Sequence, residues 1–177
     1  MNEALAHARS LILDVPDYPK PGILFRDVSP LLADPTGFAT ITQELATKAL
    51  GATHVAGIEA RGFVLGAAVA AKIGAGFIAL RKPGKLPREV LRAEYLLEYG
   101  SDALEVHADA MAPGTKVLVI DDVLATGGTL LAAIELMQQA GADVVGAAVL
   151  VDLLALGGRT RIEAAVPEMP LYSIFDL

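Results

Sequence analysis

At 177 residues with 54% hydrophobic content, the chain can bury a full core and fits one domain. Lys and Arg number 14 against 21 Asp and Glu, a formal charge of −7 that argues against general nucleic-acid or membrane-surface binding. Cysteine is absent, which excludes disulfides and a thiolate metal site and suits a reducing cytoplasm. The opening stretch MNEALAHARSLILDV sets Glu3, His7 and Arg9 among its apolar residues, a pattern that suits neither a signal peptide nor a membrane span. No internal repeat or low-complexity tract stands out.

In chain order, residues 2–13 read as a short amphipathic helix with Leu5, Ile12 and Leu13 among its apolar positions. Pro16, Pro19 and Pro21 then hold the chain extended. The segment VPDYPKPGILFRDVSPLL has too many turn formers for a buried strand and too many large apolar residues for a disordered linker. Asp34-Pro35 predicts an N-cap followed by proline at the first helical position, with a helix to about Leu50 and a stop at Gly51. His54–Ile58 predicts a buried strand that meets Glu59-Ala60-Arg61-Gly62 before a helix from Phe63 to Lys72, so β and α begin to alternate. Arg61 at a helix start opposes the helix dipole, a conflict that an anionic ligand would resolve; the simpler alternative is an exposed Arg61 paired with Glu59.

Gly76–Leu80 predicts a third strand, and it empties into RKPGKLPREVLRAE, the most basic stretch of an acidic chain, with Arg81, Lys82, Lys85, Arg88 and Arg92. A basic run is ordinarily a solvated loop, but this one follows a strand end, where ligands of open α/β sheets sit. AEYLLEYG, residues 93–100, alternates like one arm of a hairpin with Leu104–His107 as the other, a projecting shape that suits a mobile lid. The three histidines share no ligand spacing with a carboxylate, which gives no dedicated metal site.

The most informative stretch is KVLVIDDVLATGGT, residues 116–129. Val117–Ile120 predicts a strand buried on both faces, ending in Asp121 and Asp122. Ala125-Thr126-Gly127-Gly128-Thr129 and a helix from Leu130 to Gln139 follow. A strand, a glycine-rich turn and a helix start form an anion site: the backbone N–H groups can converge, and the helix dipole adds positive charge. Carboxylates repel a bare phosphate, so the two acids point to a ligand that also carries hydroxyls, such as a ribose 5-phosphate, and they can help hold hydrated Mg2+. Neither a GxxxxGK[ST] loop nor a GxGxxG spacing is present. Downstream, Asp143–Leu153 predicts a strand, Gly157–Arg161 a connection, and VPEMPLYSIFDL a final extended segment at an edge.

The 116–129 stretch resembles the phosphoribosyl-diphosphate (PRPP) signature of type I phosphoribosyltransferases, and PGILFRDVSPLL, EARGF, RKPGKLP and LEYG resemble further motifs of the adenine-specific branch, in that branch's order. The resemblance covers nearly the whole chain. It implies an α/β fold with a mainly parallel sheet flanked by helices. A small hood would come largely from residues 1–33 and the chain end, the core from 34–177, and a flexible hairpin lid from about 81–107. It implies transfer of the phosphoribosyl group from PRPP to adenine, giving AMP and diphosphate with Mg2+, in a cytoplasmic homodimer with no nucleic-acid or membrane partner.

By the same resemblance, Ala125, Thr126, Gly127, Gly128 and Thr129 grip the 5-phosphate, while Asp121 and Asp122 face the ribose hydroxyls and help with Mg2+, for which there is no dedicated protein site. Arg61, Arg81, Lys82 and Lys85 face the diphosphate, with Arg81 or Lys82 acting across the dimer. Phe25 stacks on adenine, Leu24 and Arg26 offer backbone hydrogen bonds, and Val123 covers the other face of the ring. Glu98 is the catalytic acid, with Tyr99 beside it in the lid. Members of the family often carry a non-proline cis peptide in the EARGF loop, which here falls at Glu59-Ala60. Two alternatives are the same fold acting on hypoxanthine, guanine or xanthine, and a non-catalytic PRPP sensor.

Overall fold

The computed structural model describes residues 2–49, 51–96 and 101–177. The chain divides into two compact units, Met1–Glu44 and Leu45–Leu177, with the boundary near the end of a helix.

In the first unit, helix α1 (Glu3–Ser10) begins where the Asn2 side chain accepts a hydrogen bond from the Leu5 N–H at 2.8 Å. The helix ends at Ser10, so Leu13 opens strand β1 (Leu13–Pro16) instead of closing a helix. Strand β1 pairs antiparallel with β2 (Leu24–Asp27), and the proline-rich segment between them contains a cis Tyr18-Pro19 bond. Gly22, at φ +85°, closes the turn and donates its N–H to Asp17 Oδ1 at 2.7 Å. A short helix α2 (Ser29–Ala33) precedes α3 (Pro35–Ala46). Asp34 caps α3 as expected, with Oδ1 accepting from the Gly37 N–H at 2.6 Å, but the helix stops at Ala46, short of Leu50.

The second unit is built on a five-stranded parallel sheet in the order β4-β3-β7-β8-β9. Its strands are β3 (His54–Ile58), β4 (Gly76–Leu80), β7 (Lys116–Leu124), β8 (Asp143–Asp152) and β9 (Leu171–Asp176). The final segment therefore forms a sheet edge, as expected, but it belongs to this core sheet and not to a hood. Residues Gly157–Arg161, read from sequence as a connection, open helix α6 (Gly158–Ala165) after a 3₁₀ turn at Leu154–Leu156. A separate antiparallel hairpin joins β5 (Val90–Leu96) to β6 (Ser101–His107).

Strand β3 leads through helix α4 (Arg61–Ile73) to β4 on one side, and β7 leads through helix α5 (Gly128–Gln139) to β8 on the other. Right-handed crossovers in opposite directions put the two helices on opposite faces of the sheet. The burial pattern agrees: Val117 and Val119 join α5 residues Leu130, Ile134 and Met137 in one core cluster, while Leu118 and Ile120 are buried outside it. The carboxyl ends of β3 and β7 thus flank a topological switch point, the place where open α/β sheets bind ligands.

On the α4 face, helix and sheet approach through glycines. A Cβ on Gly57 of β3 would lie 2.6 Å from the Gly62 carbonyl oxygen and 2.8 Å from the Phe77 ring. A Cβ on Gly62 would lie 2.9 Å from the Ile120 carbonyl oxygen. Gly74, at φ +70°, ends α4 in the left-handed region, with the Ala75 N–H bonded back to the Ala70 carbonyl at 2.8 Å. Gly57→Ala should destabilise the protein by about 1–3 kcal/mol through overpacking, measured as a lower midpoint in urea. An unchanged midpoint would refute the close approach.

Candidate active site

The acids of the DDVLATGGT stretch do not terminate their strand. Strand β7 continues through Asp121, Asp122 and Val123 to Leu124, and both carboxylates are buried, at 9% and 6% exposure. The pairing with β8 that carries the apolar run persists to Leu124↔Asp152, so both acids lie within the strand.

Arg61 meets them at the first turn of α4. Its Nε lies 2.8 Å from Asp122 Oδ2, an ion pair that reaches from the start of α4 to the end of β7. Asp121 Oδ1 accepts the Asp122 N–H at 2.9 Å. Burial, reinforced by the adjacent Asp122 charge, pushes the Asp121 carboxyl well above its ordinary range. Burial also raises Asp122, against the opposing pull of the Arg61 guanidinium. One guanidinium for two buried acids leaves a local excess of negative charge.

The loop after β7 leads into a helix start that no side chain caps. Gly127, at φ +82°, stands at the N-cap of α5 and offers no side chain to the first turn, where there is also no acidic residue. Ala125, Thr126 and Thr129 are half-buried, and Gly127 and Gly128 are buried. Val123, between the acids and the loop, is half-buried.

Glu59 has a different use. The Glu59-Ala60 peptide is cis. Glu59 Oε2 accepts from Arg81 Nε at 3.1 Å and from the Lys82 N–H at 2.8 Å, and Oε1 accepts from Arg81 Nη2 at 3.3 Å. The Arg81 guanidinium, followed by the Lys82 N–H, holds the Glu59 carboxyl below its ordinary value. Arg81 is further fixed by paired backbone bonds with Glu105 at 2.9 and 2.8 Å, which attach the start of the basic segment to β6. Lys82 Nζ donates to Tyr95 Oη at 2.6 Å and pairs with Asp102 Oδ2. Burial disfavours the Lys82 charge, but Asp102 and Tyr95 outweigh it and raise the ammonium above its usual value. Lys85 is exposed.

Each basic side chain proposed from sequence at 61, 81 and 82 therefore has an acidic partner within its own chain, and Asp102 and Tyr95, which hold Lys82, are contacts that sequence reasoning did not single out. The Glu59 carboxylate, two residues from Arg61 in sequence, binds Arg81 and the Lys82 N–H. In the first unit, Phe25 packs edge-on against Tyr18, with centroids 5.1 Å apart. Arg26 pairs with Asp14, and Leu24 is 45% exposed. Glu98 and Tyr99 lie outside the described residues. Among the described residues, no cluster of three or more His, Cys, Asp or Glu is arranged to hold a metal ion, and no helix is long and apolar enough to cross a membrane.

The raised Asp121 carboxyl has a stability consequence. Below the unfolded-state value of about 4, both states hold the proton and the native state bears no buried charge. As pH rises past that value the unfolded chain loses its proton first, so Asp121 costs stability increasingly toward the raised native value. Asp121→Asn should therefore raise Tm at pH 7–8 and change it little near pH 4. A Tm difference that does not vary with pH in parallel melts would refute the charge burial.

A sequence profile described as the phosphoribosyl transferase domain matches residues 32–170. The chain is 56% identical to the adenine phosphoribosyltransferase of Streptomyces coelicolor over 170 residues, covering 95% of this chain and 93% of that relative. The crystal structure of the adenine phosphoribosyltransferase of Rhodothermus marinus is similar at a TM-score of 0.91 and 44% identity, with 98% of each chain covered. The Giardia lamblia enzyme, solved in complex with 9-deazaadenine, is similar at a TM-score of 0.92 and 40% identity over 99% of each chain. With buried acids, an uncapped glycine loop and Arg61 gathered at the switch point of such a sheet, the chain belongs to the adenine phosphoribosyltransferase family of phosphoribosyl transferase domains.

Proposed function

We propose that the chain transfers the 5-phosphoribosyl group of PRPP to adenine, giving AMP and diphosphate, the activity for which its relatives are named. The observation that carries this reading is the arrangement at the carboxyl ends of β3 and β7. Two buried acids at the end of β7, Arg61 at the start of α4 and an uncapped glycine loop at the start of α5 meet there.

The loop Ala125–Thr129 takes the 5-phosphate through backbone N–H groups and the Thr126 and Thr129 hydroxyls. Asp121 and Asp122 accept hydrogen bonds from the ribose hydroxyls. Arg61, Arg81, Lys82 and Lys85 face the diphosphate, whose negative charge grows as the bond to the ribose breaks and an oxocarbenium-like sugar forms. Glu59 and Asp102 hold Arg81 and Lys82 in fixed positions, so little reorganisation is needed when that charge develops.

Oxygen donors with an uncompensated negative charge suit a hard divalent cation, so Asp121 and Asp122 fit Mg2+ carried largely by PRPP. When bound, the ion would neutralise charge on the leaving diphosphate. Phe25 supplies a ring face for adenine, Leu24 and Arg26 supply backbone groups, and Val123 supplies an apolar contact for the base. Glu98 acts as the proton donor toward the imidazole ring of the base. With Tyr99 it belongs to the segment read from sequence as a lid, whose role would be to exclude water from the ribosyl cation. The working protein is a cytoplasmic homodimer that takes neither nucleic acid nor membrane as a partner.

The test is conversion of radiolabelled adenine to AMP with PRPP and Mg2+, beside guanine, hypoxanthine and xanthine. Adenine-only turnover is expected. Turnover of another base would overturn the base assignment, and PRPP binding without turnover would make the chain a sensor. Glu98→Ala should lower kcat about a hundredfold with a much smaller change in adenine affinity. An unchanged kcat would remove Glu98 from the mechanism.

A further inference from the structure

The back of the phosphate loop rests on helix α6. A Cβ on Gly127 would lie 2.9 Å from the Gly158 carbonyl oxygen and 3.2 Å from its Cα. Reciprocally, a Cβ on Gly158 would lie 2.2 Å from the Ala125 carbonyl oxygen and 2.9 Å from Leu124 Cδ1. Loop backbone therefore meets helix backbone with no side chain between them. Gly158 lies outside the left-handed region, so what excludes a side chain there is space. The preceding Gly157 is the opposite case, with φ +70° and nothing within 4 Å of a Cβ.

A rest is useful only if it is itself held, and the next residue holds it. Arg159 Nε donates to Asp152 Oδ2 at 2.7 Å, Nη1 to the Leu171 carbonyl at 3.1 Å, and Nη2 to Ser173 Oγ at 2.8 Å. Asp152 is fully buried at the end of β8. The planar guanidinium thus ties the first turn of α6 to two strands at once. The Leu153 N–H bonds the Leu124 carbonyl at 2.9 Å, which fixes the residue just before the loop to the same strand end.

We propose that Gly158, backed by the Arg159–Asp152 pair, is a positioning element for PRPP that fixes the path of the Ala125–Thr129 backbone so that its N–H groups converge on the 5-phosphate. The assignment rests on the reading of that loop as the phosphate site. Loop N–H groups bind an anion only when they converge, and an error on the ångström scale is costly. Position 158 therefore acts on phosphoribosyl binding without touching substrate.

Steady-state kinetics with varied PRPP and varied adenine test this in Gly158→Ala, Arg159→Ala, Arg159→Lys, Thr129→Ala and Gly157→Ala, with Tm measured on each. Gly158→Ala and Arg159→Ala should raise the KM for PRPP about tenfold or more, with kcat and adenine KM within about twofold. Arg159→Lys should recover part of the loss. Gly157→Ala, strained but unobstructed, should lower Tm and leave the PRPP KM alone. If Thr129→Ala raises the PRPP KM while the 158 and 159 variants leave it unchanged, the brace is wrong and the phosphate loop stands. If none of the three moves it, the loop reading fails as well. Parallel changes in Tm, kcat and both KM values would reduce α6 to a structural role. Should Gly158→Ala not fold, the Arg159→Ala and Arg159→Lys pair decides on the same criteria.

Discussion

Two adjacent carboxylates buried at the end of a central strand are the constraint around which the catalytic unit is arranged. Burying either charge is expensive, and burying both side by side adds their mutual repulsion. Arg61 offsets part of this at 2.8 Å from Asp122, but it can do so only because helix α4 starts almost in contact with the sheet. That approach in turn requires glycine at 57 and 62, where a side chain would strike backbone or the Phe77 ring. The glycines, the helix position and the ion pair are successive consequences of placing two acids there.

The same economy of space appears on the opposite side of β7, where the glycine loop lies against α6 in backbone contact. Both approaches flank one strand, and both rely on an arginine tied to a buried aspartate: Arg61 with Asp122, and Arg159 with Asp152. Each pair anchors the first turn of a helix beside a strand end. The parallel sheet supplies rigid strand ends, and the ion pairs register the helix starts against them.

Much of this was legible in the sequence because it depends on local pattern. The apolar run Val117–Ile120, the strands His54–Ile58 and Gly76–Leu80, and the glycine loop follow from residue type and order alone. The errors came where tertiary contact overrides local signal. Asp121 and Asp122 look like strand terminators, yet pairing with β8 carries the strand through them. Gly157-Gly158 looks like a turn, and the polar sequence after it buries only Ile162 among its apolar side chains, too little periodicity to reveal α6. Partner choice was the least readable property. Glu59 is two residues from Arg61 but binds Arg81, across 22 positions, because β3 and β4 end side by side.

Lys82 carries a restriction of valence. An ammonium has three N–H bonds, and two of them already serve Tyr95 and Asp102 on the β5–β6 hairpin. Only one remains for any incoming anion, so a ligand that claims more of Lys82 must take a bond from the hairpin. By reciprocity, a hairpin that holds those bonds more tightly weakens the anion by the same factor. In the proposed diphosphate role, a single amine with too few protons for all its acceptors would link the position of the arm to the charge of the ligand.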